Sequence, residues 1–97
     1  MRTIYKGFKE LEYQGLKIDK MVSSASWEIL GIALEAGKVF PEHISPRDAH
    51  LIMLEGSIDF SIEGNTFRIQ EQEYFNFPKK TKHIVRALKN SKFIIVR

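Results

Sequence analysis

A chain of 97 residues has room for one domain, and a domain of this size buries only roughly 60–65% of its unfolded surface. Hydrophobic residues at 43% and charged residues at 28% are the balance of a soluble globular protein, which argues against a disordered or membrane-embedded chain. The absence of cysteine excludes a disulfide scaffold, thiolate metal sites and cysteine nucleophiles, and it suits a reducing compartment. The net charge of +3 is spread along the chain, with one cluster at Lys79, Lys80 and Lys82. That cluster reads as a solvated loop or as an anion-attracting rim. No basic module interleaved with aromatic residues accompanies it, so nucleic acid is not the expected partner. The opening stretch MRTIYKGFKELEY has no apolar signal-peptide core, and no apolar run approaches the roughly 20 residues of a membrane helix. The expectation is a cytoplasmic protein with no membrane partner.

Residues 2–6 suggest a short edge strand around Ile4 and Tyr5. Gly7 and Gly15 punctuate the next stretch, and Leu16 and Ile18 then alternate with Lys17 and Asp19 at a strand's period of two. Ser23 to Ser26 is a loop. Residues 26–35, SWEILGIALE, fit two periods. Trp27, Leu30 and Leu34 share a helix face, whereas Leu30, Ile32 and Leu34 share one strand face. Gly31 weakens a helix by about 1 kcal/mol, and strand is the reading adopted. Residues 1–25 are accordingly expected as N-terminal strands or a dimer arm, and residues 26–97 as the body of the fold.

Ala36-Gly37 is a turn, and Pro41 and Pro46 bracket His43 in an extended, irregular segment. Ala49 to Leu54 has two apolar faces, so its outer face needs the N-terminal segment or a partner subunit as cover. Ile58, Phe60 and Ile62 alternate with Ser57, Asp59 and Ser61. After the turn Glu63-Gly64-Asn65, Phe67 and Ile69 resume the alternation, which makes a β-hairpin. Tyr74 to Phe77, His83 to Leu88 and Phe93 to Val96 complete a series of short strands at roughly ten-residue spacing. That series predicts an all-β sandwich or barrel.

His43 and His83 each open or precede a strand, and on a closed antiparallel barrel they can converge near one mouth. Neutral imidazole is a general ligand for transition metals. The spacing around them resembles the two motifs of a small single-domain cupin, a double-stranded β-helix or jelly-roll barrel of the RmlC-like kind. In the first motif Gly37 and His43 match and Leu54-Glu55-Gly56 gives the strand end, while Ser45 and Ala49 stand where the second histidine and the glutamate would be. In the second motif Pro78 and His83 match, and Gln72 and Lys80 stand at the glycine positions. The resemblance covers residues 27–97. It implies a metal site that retains His43 and His83 of four ligands, for a divalent transition metal such as Fe, Mn, Ni or Zn. His50 lies one residue beyond the glutamate position. A one-residue step sends it to the outer face, and a β-bulge would turn it inward as an alternative ligand.

Alternation makes His43, Ser45, Arg47, Ala49, Leu51 and Met53 an inward set from one segment, with His83 and Val85 from another. The expected ligand pocket is apolar at its base and polar at its mouth. Two functions are open on this reading. One is a homodimeric cupin that binds a small, possibly anionic ligand without tight metal. The other is a metal-dependent cupin enzyme, dioxygenase- or isomerase-like, that uses His43 and His83. The ligand itself, and any catalytic residue, are not specified by the motifs.

Overall fold

A computed structural model describes residues 2–97. The described residues form nine strands: β1 (Leu16–Ser23), β2 (Glu28–Leu34), β3 (Val39–His43), β4 (Ala49–Glu55), β5 (Ser57–Ile62), β6 (Asn65–Gln70), β7 (Tyr74–Phe77), β8 (His83–Ala87) and β9 (Ser91–Val96). They build two antiparallel sheets, one ordered β1-β2-β9-β4-β7 and the other β3-β8-β5-β6. The two sheets face each other as a jelly-roll barrel, the fold class the strand spacing implies.

The inner faces carry the core. Leu30, Ile32 and Leu34 of β2, Leu51 and Met53 of β4, Ile58 and Phe60 of β5, and Phe93 and Ile95 of β9 are all buried. Each such side chain contributes about 1.5–3 kcal/mol by leaving water. The β5–β6 hairpin turns on Glu63 and Gly64, both at positive φ (51° and 77°). That is the two-residue turn whose twist matches the flanking strands.

Within residues 26–35 the strand reading holds, as β2 over Glu28–Leu34 with Ser26, Trp27 and Glu35 outside it, and Gly31 lies at its centre. It pairs with Asp19 on one side and Ile94 on the other. A Cβ there would sit 2.5 Å from the Phe8 ring, so the N-terminal segment lies directly on the outer face of β2. The expected strand at 2–6 does not form. Ile4 is 83% exposed, so burial gives no drive for pairing. The chain instead makes a helical turn, in which the Glu10 amide donates to Lys6 O at 3.0 Å and the Leu11 amide to Phe8 O at 3.1 Å. Phe67 shares the face of Ile69 on the edge strand β6 and meets the Phe75 ring at 5.2 Å, but at the sheet edge it stays 42% exposed.

The segment from His43 to Met53, expected as one inward-facing strand, is two. β3 belongs to the four-stranded sheet and β4 to the five-stranded one. The chain crosses between them through Ile44 to Asp48. This crossing sets which of the expected pocket residues reach the cavity.

Candidate functional site

Register brings one end of the barrel together. His43 at the end of β3 pairs with His83 at the start of β8, and His83 pairs with Ile62 of β5. At the same end, the Glu28 and Arg97 backbones are hydrogen-bonded to each other in both directions. A cavity of about 310 Å³ opens here. Its mouth carries His43, His83, Arg97 and the Lys20 ammonium, with exposed Ile44 nearby, while Ile18, paired with Ile32, is an exposed part of its side. Below them lie Leu30 paired with Ile95, and Val85 paired with Phe60 and Phe40. Ile32 and Phe93, one inward step further along the same two strands, close the floor.

The two imidazoles meet edge to face, with Nε2 to Nε2 at 2.9 Å. Each ring is held by an aromatic plane and a backbone carbonyl. Phe40 stacks on His43 at 4.0 Å, and Phe60 lies parallel to His83 at 5.2 Å. His43 Nδ1 is 2.6 Å from Pro41 O, and His83 Nδ1 is 3.0 Å from Thr81 O. A carbonyl only accepts, so each Nδ1 carries its ring's hydrogen and each Nε2 presents a lone pair. Two neutral rings supply two hydrogens to three short contacts. The Nε2 pair therefore calls for a third partner: a proton, a metal ion, or an O–H or N–H from a ligand. Burial, the largest cause, pushes both imidazoles below the ordinary histidine value. The Arg97 charge adds to this, and the carbonyl acceptors oppose it.

Arg97 is the group that sequence reasoning missed. Its Nε donates to Glu28 Oε1 at 2.7 Å, and its Nη1 stands 3.5 Å from Ser45 Oγ. Glu28 also meets Lys20 Nζ at 3.6 Å, so two cations share one carboxylate. Arg97 holds the Glu28 carboxyl below the usual carboxylate range, with Lys20 adding to it. The signal was present in the alternation, since Phe93 and Ile95 face inward and a period of two carries the same face to residue 97.

The other expected pocket residues lie near the cavity without lining it. Ser45 is buried (1% exposed). Its hydroxyl donates to Arg47 O at 2.6 Å, and its carbonyl accepts from the Lys80 amide at 2.8 Å. The Arg47 side chain turns away to donate to Ala25 O at 3.1 Å. Ala49, Leu51 and Met53 sit in the core packed beside the cavity. His50 is on the outer face of β4, where Nδ1 is 2.5 Å from the Tyr74 hydroxyl. Lys79, Lys80 and Lys82 are exposed and outside the cavity.

The donor set decides what a metal would find here. A 2.9 Å separation of two Nε2 atoms is what two ligands at about 2.0–2.1 Å span at roughly a right angle. The carbonyl partners fix the ligating tautomer, as around many metal-bound histidines. The residues thus fit a two-histidine foothold. Beyond it, Ser45 is engaged by its own loop and Ala49 has no donor. No group of three or more histidine, cysteine, aspartate or glutamate side chains gathers among the described residues.

The family model for the cupin domain matches residues 32–96, and the chain belongs to the cupin family. Solved structures agree on the fold. A conserved protein of unknown function from Streptococcus pyogenes superposes with a TM-score of 0.85 at 20% identity, covering 99% of this chain and 86% of that one. A cupin superfamily protein from Desulfitobacterium hafniense gives 0.86 at 11% identity, covering 99% and 90%. An RmlC-like cupin from Methanocaldococcus jannaschii gives 0.83 at 22% identity, covering 100% and 90%. At these identities the likeness concerns the fold alone. No curated protein matches the chain.

Proposed function

We propose that this cupin binds a small anionic ligand at the barrel mouth and holds no metal tightly. The observation that carries the reading is Arg97. It lines the cavity beside His43 and His83, with Lys20 at the rim, where the four-ligand motif would have gathered donors for a cation. Its Nε is held by Glu28, which leaves the two Nη groups to meet a ligand carboxylate through parallel hydrogen bonds. With Lys20 on the same carboxylate the cations outnumber the anion, which disfavours a further positive charge. The pocket residues Ser45, Arg47 and Ala49 shape this end from behind, and Leu51 and Met53 set the packing beneath. The test is thermal unfolding of chelator-treated protein against a panel of carboxylates and phosphates. A saturable rise in Tm that Arg97→Met abolishes supports the reading, and no shift with any anion contradicts it.

A second reading rests on the converging Nε2 lone pairs. A divalent Fe, Mn, Ni or Zn ion on His43 and His83 would supply Lewis acidity toward a ligand oxygen, as a metal-dependent enzyme requires. His50 is a poor candidate for completing that set, because it faces outward and is engaged by Tyr74. Elemental analysis of protein purified without chelator separates the readings. About one metal per chain that the His43→Ala/His83→Ala variant loses favours the enzyme, and a substoichiometric content in both favours the anion site.

We also take the protein to act as a cytoplasmic homodimer. The lack of cysteine is compatible with that compartment. Ile52 and Tyr74, exposed beside His50 on the outer face of β4 and β7, are the surface the partner copy would cover. A single monomeric species in sedimentation at tens of micromolar would remove the dimer from this reading.

A further inference from the structure

The cavity is sharply two-sided along its depth, and strand register shows how. On β2 and β9 the inward positions run from Arg97 at the mouth through the Leu30–Ile95 pair to the Ile32–Phe93 pair. On β8 they run from His83 to Val85, with Phe60 of β5 and Phe40 of β3 beside Val85. Lys20 of β1 pairs with Leu30, but its Nζ reaches the Glu28 carboxylate of the first layer at 3.6 Å. The charged and ring-nitrogen ends of the lining thus gather in the first layer, and the other side chains below it are aliphatic or phenyl. Phe60, Phe93, Ile32 and Val85 are almost completely buried, so this floor is fixed by packing and does not depend on a ligand to form. A volume of about 310 Å³ equals about ten waters' share of liquid. A hydrophilic anion that filled it would leave its own hydrogen-bonding groups against Ile32, Phe93 and Phe60 with no partner, which is unfavourable. An apolar body in the same space is stabilised by every methylene it buries.

We propose that the ligand is an amphipathic monocarboxylate that enters tail first, a carboxylate on a phenyl or branched aliphatic body. The carboxylate stays at the mouth against the Arg97 guanidinium, with Lys20 at the rim. The apolar body passes Leu30 and Ile95 and ends on Ile32 and Phe93. The Nε2 pair of His43 and His83 adds an acceptor site in the same layer, which suits a ligand carrying a hydroxyl next to its carboxylate. Polycarboxylates and phosphorylated sugars fit this cavity poorly, because their charge is not confined to one end. This inference deepens the anion reading above and rests on it.

The test is isothermal titration calorimetry of the chelator-treated full chain with five probes: acetate, citrate, inorganic phosphate, hydrocinnamate and hydrocinnamide. The expected result is saturable binding of hydrocinnamate, at least about tenfold tighter than of acetate and of hydrocinnamide, with a negative heat-capacity change from burying the ring. Arg97→Met should remove the preference for the acid over its amide. Ile32→Phe, which fills the floor, should weaken hydrocinnamate and leave acetate unchanged. Val85→Phe, on the opposite wall, gives the same readout should Ile32→Phe fail to fold. Acetate, citrate or phosphate binding as tightly as hydrocinnamate would overturn the tail-first inference while leaving the anion site standing. Equal binding of acid and amide would overturn the anion site. Binding of none of the five would overturn both.

Discussion

At the scale of single residues, two substitutions in the cupin motif pattern leave the backbone as the glycines would have it. Gln72 and Lys80 occupy the two glycine positions of the second motif, and both adopt positive φ (66° and 59°). A side chain in the left-handed region costs about 1–2 kcal/mol, partly offset by the entropy that glycine loses on folding. Gln72→Gly and Lys80→Gly should each stabilise the fold by roughly 0.5–1 kcal/mol, read as a raised urea midpoint at unchanged slope. An unchanged or lowered midpoint would mean that the native contacts of the side chains outweigh the strain. A second residue-scale prediction concerns Glu28. Arg97 depresses its carboxyl in the folded state, so the pair's stabilisation is present above the ordinary carboxylate value and is lost as pH falls through the depressed one. Wild-type stability should therefore drop in acid more than that of Arg97→Met. Parallel pH profiles for the two proteins would contradict the assignment.

At the scale of elements, the N-terminal segment is fixed to the outer face of the five-stranded sheet by one buried cation. Lys92 is 9% exposed. Its Nζ donates to Phe8 O at 3.2 Å and Lys9 O at 3.1 Å, and it lies 5.3 Å from the Tyr13 ring centroid. Tyr13 in turn donates to Glu55, and Phe8 covers Gly31. Lys92→Met keeps the stem and removes the charged donor. Hydrogen exchange at residues 8–13 should then quicken on the order of tenfold, the equivalent of about one charge-assisted hydrogen bond, with β2 and β9 unchanged. Uniform protection across both proteins would deny the clasp its role. The β4–β5 junction makes a second element-scale prediction. Gly56 has φ +93°, and a Cβ there would sit 2.5 Å from Asn90 O. Gly56→Ala should destabilise by more than about 2 kcal/mol in chemical unfolding, and a loss below half that would mean the turn can relax.

Elements were legible in the sequence wherever a strand has one wet face. The Ile58-Phe60-Ile62 alternation, the Glu63-Gly64 turn and the limits of β5 come from period and turn chemistry alone. Legibility failed where tertiary contact sets the outcome. At residues 26–35 period alone left helix and strand open; the strand reading adopted on Gly31 is the one that forms, as β2, with Phe8 lying on Gly31. Ile4 and Tyr5 have strand-forming side chains but no surface to bury them. The crossing at Ile44–Asp48 puts His43 on one sheet and Ala49, Leu51 and Met53 on the other, which a single alternating pattern cannot express.

At the scale of the whole molecule, the barrel brings His43 and His83 from forty residues apart to 2.9 Å. The same closure brings Arg97 to the mouth beside them, on the opposite sheet. The two histidines were readable because motif spacing marks them. Arg97 and Lys20 carry no motif; alternation gives the face of Arg97, but only the closed barrel places either of them beside the histidines. That closure gives the site its character: two ring acceptors, and a guanidinium and an ammonium that share the Glu28 carboxylate, above an apolar floor. On the proposed function, this mouth receives a carboxylate without help from a metal. The most direct test of this claim is a ¹H–¹⁵N NMR titration of chelator-treated protein with hydrocinnamate, following the Arg97 guanidinium and the His43 and His83 ring nitrogens. Saturable shifts at Arg97 and both rings, accompanied by the Leu30 and Ile95 amides, are predicted. Shifts that appear only after a divalent metal is added, or that spare Arg97, would contradict the account.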